Sequence, residues 1–154
     1  MAISKILIYI LIKFTAYVWW CHIGLEKKWQ ESKTPRPSIT KTSLGLGFFR
    51  SILGLVFGVG IYFLTIPFLM SSSLNLFGAQ ALAYLLVYIP VRWIEWSIIA
   101  MFLYPDSRSL VGFISGGSAV DRKWRGIGIL ISCLADVPII MALHGSLFVG
   151  RIMC

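Results

Sequence analysis

Residues 44–70 read LGLGFFRSILGLVFGVGIYFLTIPFLM, with Arg50 as their single charge near the start and Pro67 near the end. A helix needs about 20 apolar residues to cross a hydrocarbon core about 30 Å thick. The stretch from Ser51 to Pro67 therefore spans easily, and three more runs surround it. Upstream, the apolar run from about Ile3 to Ile23 is interrupted near its middle by Lys13. Downstream come Leu76 to Tyr104, and then Gly126 to Gly150, which is interrupted by Asp136, Pro138 and His144. This pattern predicts an all-α polytopic membrane protein. It is a single transmembrane domain over 1–154, a four-transmembrane-helix bundle with spans at about 3–23, 48–70, 76–96 and 126–148.

Composition agrees. The 154 residues are 58% hydrophobic and 13% charged, with a mean hydropathy of +0.84, whereas soluble domains carry roughly 45–50% apolar and about 25% charged residues. The formal net charge is +8. The basic residues form two blocks between apolar runs rather than a groove interleaved with aromatics, which argues topology and against nucleic-acid binding. Cys21, Cys133 and Cys154 include no CxxC pair, so neither a disulfide framework nor a zinc site is expected. Residues 1–12 resemble the start of a signal peptide. Lys13 and the bulky Tyr17, Trp19 and Trp20 follow in place of a small-residue cleavage site, so a mature span is expected.

The third run would be about 43 Å long at 1.5 Å per residue, so an over-long or kinked third helix is expected. Pro90 would free the carbonyl of Leu86, and Ser97 to Tyr104 would lie along the membrane surface. The short turn Ser71 to Asn75 predicts an antiparallel hairpin of the second and third spans.

Orientation follows from the loops. Loop 24–43 carries Lys27, Lys28, Lys33, Arg36 and Lys41, and loop 105–125 carries Arg108, Arg122, Lys123 and Arg125. The positive-inside rule places both in the cytoplasm and both termini outside, in what we expect to be a bacterial inner membrane. Trp19, Trp20, Trp29, Trp93, Trp96 and Trp124 all fall beside these loops, as a headgroup belt would. Arg122, Lys123 and Arg125 are the expected contacts to anionic lipid, at about 1 kcal/mol per basic residue.

Charges at bilayer depth cost roughly 2.5–3.5 kcal/mol each on insertion scales, so each needs a partner. Lys13 and Asp136 both lie about ten residues from a span end, which predicts an intramembrane pair near the midplane. A simple pair implies that Lys13→Ala destabilises more than the double substitution with Asp136→Ala. Lys5, Tyr9, Lys13 and Tyr17 recur every four residues along one helical face. Arg92 and Glu95, three apart in VRWIEW, are expected to form an ion pair at the interface. Gly47, Gly54 and Gly58 share a face and include a GxxxG pair, the pattern that permits close helix packing inside the chain or against another subunit.

Catalytic patterns are missing. His22 and His144 fall at opposite ends of the membrane and do not suit one haem. The Gly116-Gly117-Ser118 stretch lacks the rest of a phosphate loop, and neither HExxH nor GxSxG occurs. No cofactor or metal is expected, and a non-enzymatic role is favoured. The expectation is an integral membrane subunit or accessory or scaffold protein of a larger complex, of secretion, conjugation or respiratory type. Its partners would be the lipid bilayer and other membrane subunits or further copies of itself. The alternative is a small oligomeric proton- or ion-coupled transporter or channel using Lys13 and Asp136. An enzyme on lipid headgroups, using Arg92, Glu95 and the Arg122, Lys123, Arg125 cluster, comes third.

Overall fold

A computed structural model describes residues 2–31, 38–71 and 77–142. Residues 32–37, the serine turn beyond Ser71, and the C-terminal stretch with His144, Arg151 and Cys154 lie outside these, as do the side chains of Lys5 and Trp29. Every regular element among the described residues is helical: α1 (Ala2–Glu31), α2 (Ile39–Ser71), α3 (Phe77–Leu103), a 3₁₀ turn (Pro105–Arg108), α4 (Leu110–Ser115) and α5 (Ala119–Ala142). Two helices are long and apolar enough to cross a membrane, through Leu7–Lys28 in α1 and Ile39–Ile61 in α2.

The four long helices form an alternating up-and-down bundle. Helix α1 packs on α2, α5 and α3, while α3 also packs on α5 and α2. Cross-contacts set the directions. Tyr9 meets Asp136 and Trp20 meets Trp124, so α1 and α5 are antiparallel. Arg50 meets Glu95 while Ile61 clusters with Tyr88, so α2 and α3 are antiparallel as well. The C-terminal ends of α1 and α3 and the N-terminal ends of α2 and α5 therefore lie at one end of the bundle, where Lys28 Nζ donates to the Phe102 carbonyl at 2.8 Å.

Several elements run longer than their hydropathy. Helix α1 continues past Ile23 to Glu31, because Gly24 and Leu25 are buried in the bundle while Glu26 and Lys27 on the other face are solvated. Helix α3 is continuous through Pro90. Ser97 to Tyr104 does not lie apart on a surface: Ser97, Ile99, Ala100 and Leu103 are fully buried. The spacing of Trp96, Ile99, Ala100 and Leu103 keeps them on the face that packs with Trp20, Leu25 and Trp124. Loop 105–125 is likewise ordered as the 3₁₀ turn, α4 and the first turns of α5.

The inward side of α2 is Ser43, Gly47, Arg50, Gly54, Gly58 and Ile61, a seam of mostly small residues that lets the helices approach closely. At Gly47 an added Cβ would lie 2.5 Å from Val18 Cγ2 and 3.0 Å from the Val18 backbone. A side chain there forces α1 and α2 apart. Gly47→Val is expected to cost about 1–3 kcal/mol, the range for overpacking, read as a lower thermal midpoint in detergent. Gly45→Val, two residues away on the opposite side of α2 and in open space, should leave the midpoint unchanged.

A buried charged network as the candidate functional site

Polar side chains from all four long helices meet inside the bundle in layers. In the first layer α5 supplies Asp136, α1 supplies Tyr9 and Lys13, and α3 supplies Arg92. Lys13 Nζ lies 2.9 Å from Asp136 Oδ1 and donates to the Tyr9 hydroxyl at 2.8 Å. Tyr9 in turn donates to the same carboxylate oxygen at 2.6 Å. The other carboxylate oxygen accepts from Arg92 Nη2, and Arg92 Nη1 reaches Cys133 Sγ. The structure thus brings Lys13 and Asp136 together, but as two members of a four-residue cluster. That changes the expected mutational pattern. Lys13→Ala leaves Asp136 its arginine, and the double substitution leaves Arg92 without its carboxylate, so it is not the milder change that a simple pair implies.

Nearer the N-terminal end of α2, Arg50 lies 2.5 Å from Glu95 of α3, both fully buried. Among the described residues the Arg50 nitrogens make no aligned hydrogen bond. The guanidinium is instead held between two rings, 4.7 Å from the centroid of Tyr17 and 5.2 Å from that of Trp96. Aromatic faces attract a desolvated cation. The interfacial Arg92–Glu95 pair is corrected here: both side chains are buried, and Arg92 pairs with Asp136 while Glu95 pairs with Arg50. Residues three apart on a helix diverge in azimuth, and these two point at different neighbours, α5 and α2. Across both layers three cations face two carboxylates.

An aromatic layer follows. Trp124 stacks on Trp20 with centroids 6.1 Å apart and receives Trp96 edge-on at 5.1 Å, and Tyr17 meets Trp96 edge-on at 5.8 Å. Trp20, Trp96 and Trp124 are core residues rather than a lipid-facing belt; Trp19 is exposed. Two of their indole N–H groups find acceptors inside the bundle: Trp20 donates to the Trp124 carbonyl at 3.2 Å and Trp96 to Ser132 Oγ at 3.1 Å. An indole satisfied in this way does not need the headgroup region.

The last layer is built on Arg125. Its Nε and Nη2 hold Asp121 at 2.8 and 2.7 Å, a two-pronged contact across one helical turn. Nη1 donates to Ser97 Oγ at 2.5 Å and to the Phe113 carbonyl at 2.7 Å, and Nη2 donates to Ser107 Oγ at 2.9 Å and the Gly112 carbonyl at 3.1 Å. Arg125 is fully buried and does not contact lipid, which corrects its grouping with Arg122 and Lys123; those two are exposed. The i,i+4 spacing of Asp121 and Arg125 carried this signal in the sequence.

Gly47, Gly54 and Gly58 are all buried, and Gly47 faces α1 of the same chain. Tyr9, Lys13 and Tyr17 are buried too, so the polar stripe of α1 faces protein. Comparison with known proteins adds no further constraint: no family model, no curated protein and no solved structure matches this chain.

Proposed function

We propose that the chain is an integral membrane protein of four spans that works as a non-enzymatic subunit or accessory factor of a larger membrane complex. Two crossing segments come from α1 and α2 by length and hydropathy. Helices α3 and α5 cross beside them, because Glu95 pairs with Arg50 inside Ile39–Ile61, and Asp136 pairs with Lys13 inside Leu7–Lys28, at shared depths. The observation that carries the reading is the direction of the polar groups. They turn inward onto one another, while Leu7, Leu11, Phe48, Val56 and Phe63 point outward. A bundle of this kind offers its surroundings an apolar surface, suited to lipid and to other membrane helices. Its internal ion pairs fix which helix meets which.

Both termini would be external and the two basic loops, 24–43 and 105–125, cytoplasmic. Mild detergent extraction followed by mass spectrometry tests the role. The reading expects a defined set of other membrane subunits, and a homo-oligomer with no companions counts against it. A second reading, an ion-coupled transporter, is favoured by the buried, hydrogen-bonded Tyr9, Lys13, Asp136 cluster. Asp136→Asn keeps the shape of the side chain and removes its charge. In the transporter reading the variant assembles but loses proton uptake in proteoliposomes, whereas in the subunit reading the unsubstituted protein moves no protons.

A further inference from the structure

Helix α4 is short, yet it is fastened at both ends and along its back. Ser109 caps it by accepting from Gly112 N at 3.0 Å. Gly116 ends it in the left-handed region at φ 75°, with its N–H on the Gly112 carbonyl at 2.9 Å. Trp93 Nε1 holds the Ile114 carbonyl at 2.8 Å, and Arg125 holds those of Gly112 and Phe113. What this rigid scaffold presents is apolar: Leu110 is 78% exposed, Val111 73% and Ile114 63%. Exposed Phe102 and Val120 extend the same end of the molecule. Cations border it. The aliphatic stem of Arg122 lies over Gly116, where an added Cβ would come 2.6 Å from Arg122 Cγ. Arg122, Lys123 and Arg108 are exposed against the single exposed acid Asp106 of this segment.

Branched apolar side chains held outward beside unneutralised basic groups match the chemistry of an acidic membrane surface, where apolar groups reach the acyl boundary and cations meet the headgroups. We propose that α4 is an interfacial ledge: Leu110, Val111 and Ile114 sink to the acyl boundary of the bilayer, and Arg122 and Lys123 bind acidic lipid headgroups above them. This rests on the chain being embedded in a membrane, and the test separates the two claims.

A nitroxide is attached to Val111→Cys and, in a second sample, to Val56→Cys on the outward face of α2, with the signal of the unsubstituted chain subtracted. Both are reconstituted into phosphatidylcholine vesicles with and without phosphatidylglycerol. Collisions with oxygen and with a water-soluble nickel chelate are then compared. At Val111 oxygen should dominate, and more strongly when phosphatidylglycerol is present. Arg122→Gln with Lys123→Gln should abolish that lipid dependence. If Val56 is oxygen-dominated but Val111 is reached mainly by the chelate, the ledge is overturned while the membrane reading stands, and a water-soluble partner becomes its occupant. If the chelate reaches both, both fall. Equal depth in the two lipid mixtures overturns the headgroup contact.

Discussion

Asp136→Ala should be among the most damaging single substitutions in the protein, at roughly 3–5 kcal/mol, the range for removing one partner of a buried ion pair. The carboxylate is shared by Lys13 and Arg92 and also accepts from Tyr9, so its loss leaves two cations buried with no anion between them. Lys13→Ala should cost clearly less, because Arg92 still neutralises Asp136. The triple change Lys13→Met, Arg92→Met, Asp136→Leu should recover much of the loss, since removing all the charges also removes the desolvation they suffer. Thermal unfolding in detergent, followed by tryptophan fluorescence, measures the series. A triple variant as unstable as Asp136→Ala would show that lost packing, not stranded charge, dominates.

Arg125→Ala is the second large effect, again about 3–5 kcal/mol by the same argument. It strands the buried Asp121 and releases Ser97, Ser107 and the carbonyls of Gly112 and Phe113. The damage should be localised. Amide hydrogen exchange is expected to rise first over the 3₁₀ turn and α4, which Arg125 ties to α3 and α5, and only later over α1 and α2. Arg125→Lys should not rescue, because one ammonium group cannot reproduce the two-pronged contact with Asp121 and reach four further oxygens. Uniform exchange across all helices would contradict the role assigned to this residue.

How much of this was legible in the sequence depends on whether one helix or several decide the answer. The long helices were readable because hydropathy is a property of each segment alone. The meeting of Lys13 and Asp136 follows from position in the sequence, since each lies about ten residues from the end of its apolar run and opposite charges at one level attract. Arg92 as a third member does not. Glu95 stood within reach on the same helix, and only the azimuths of α2 and α5 around α3 separate the two side chains. Tryptophan was ambiguous for a similar reason. An amphipathic ring suits the headgroup level and equally suits a core that offers its N–H an oxygen, as Ser132 does for Trp96. Arg125 looked like a surface cation because its block is basic overall. Its partner Asp121 was one helical turn away, but the serines and carbonyls that complete its shell come from three other elements. Leu110, Val111 and Ile114 carry no signal within a basic, glycine-rich segment, because their outward direction is set by the contacts that fasten α4.

The proposed membrane bundle requires lipid as the solvent for the outward faces of these helices. Sedimentation of the purified chain, first in lipid nanodiscs and then after every amphiphile has been withdrawn, tests this most directly. We expect a homogeneous particle in the discs and rapid aggregation without them. A single sharp boundary in plain buffer, at the 17.3 kDa of one chain or a small multiple of it, would contradict the account.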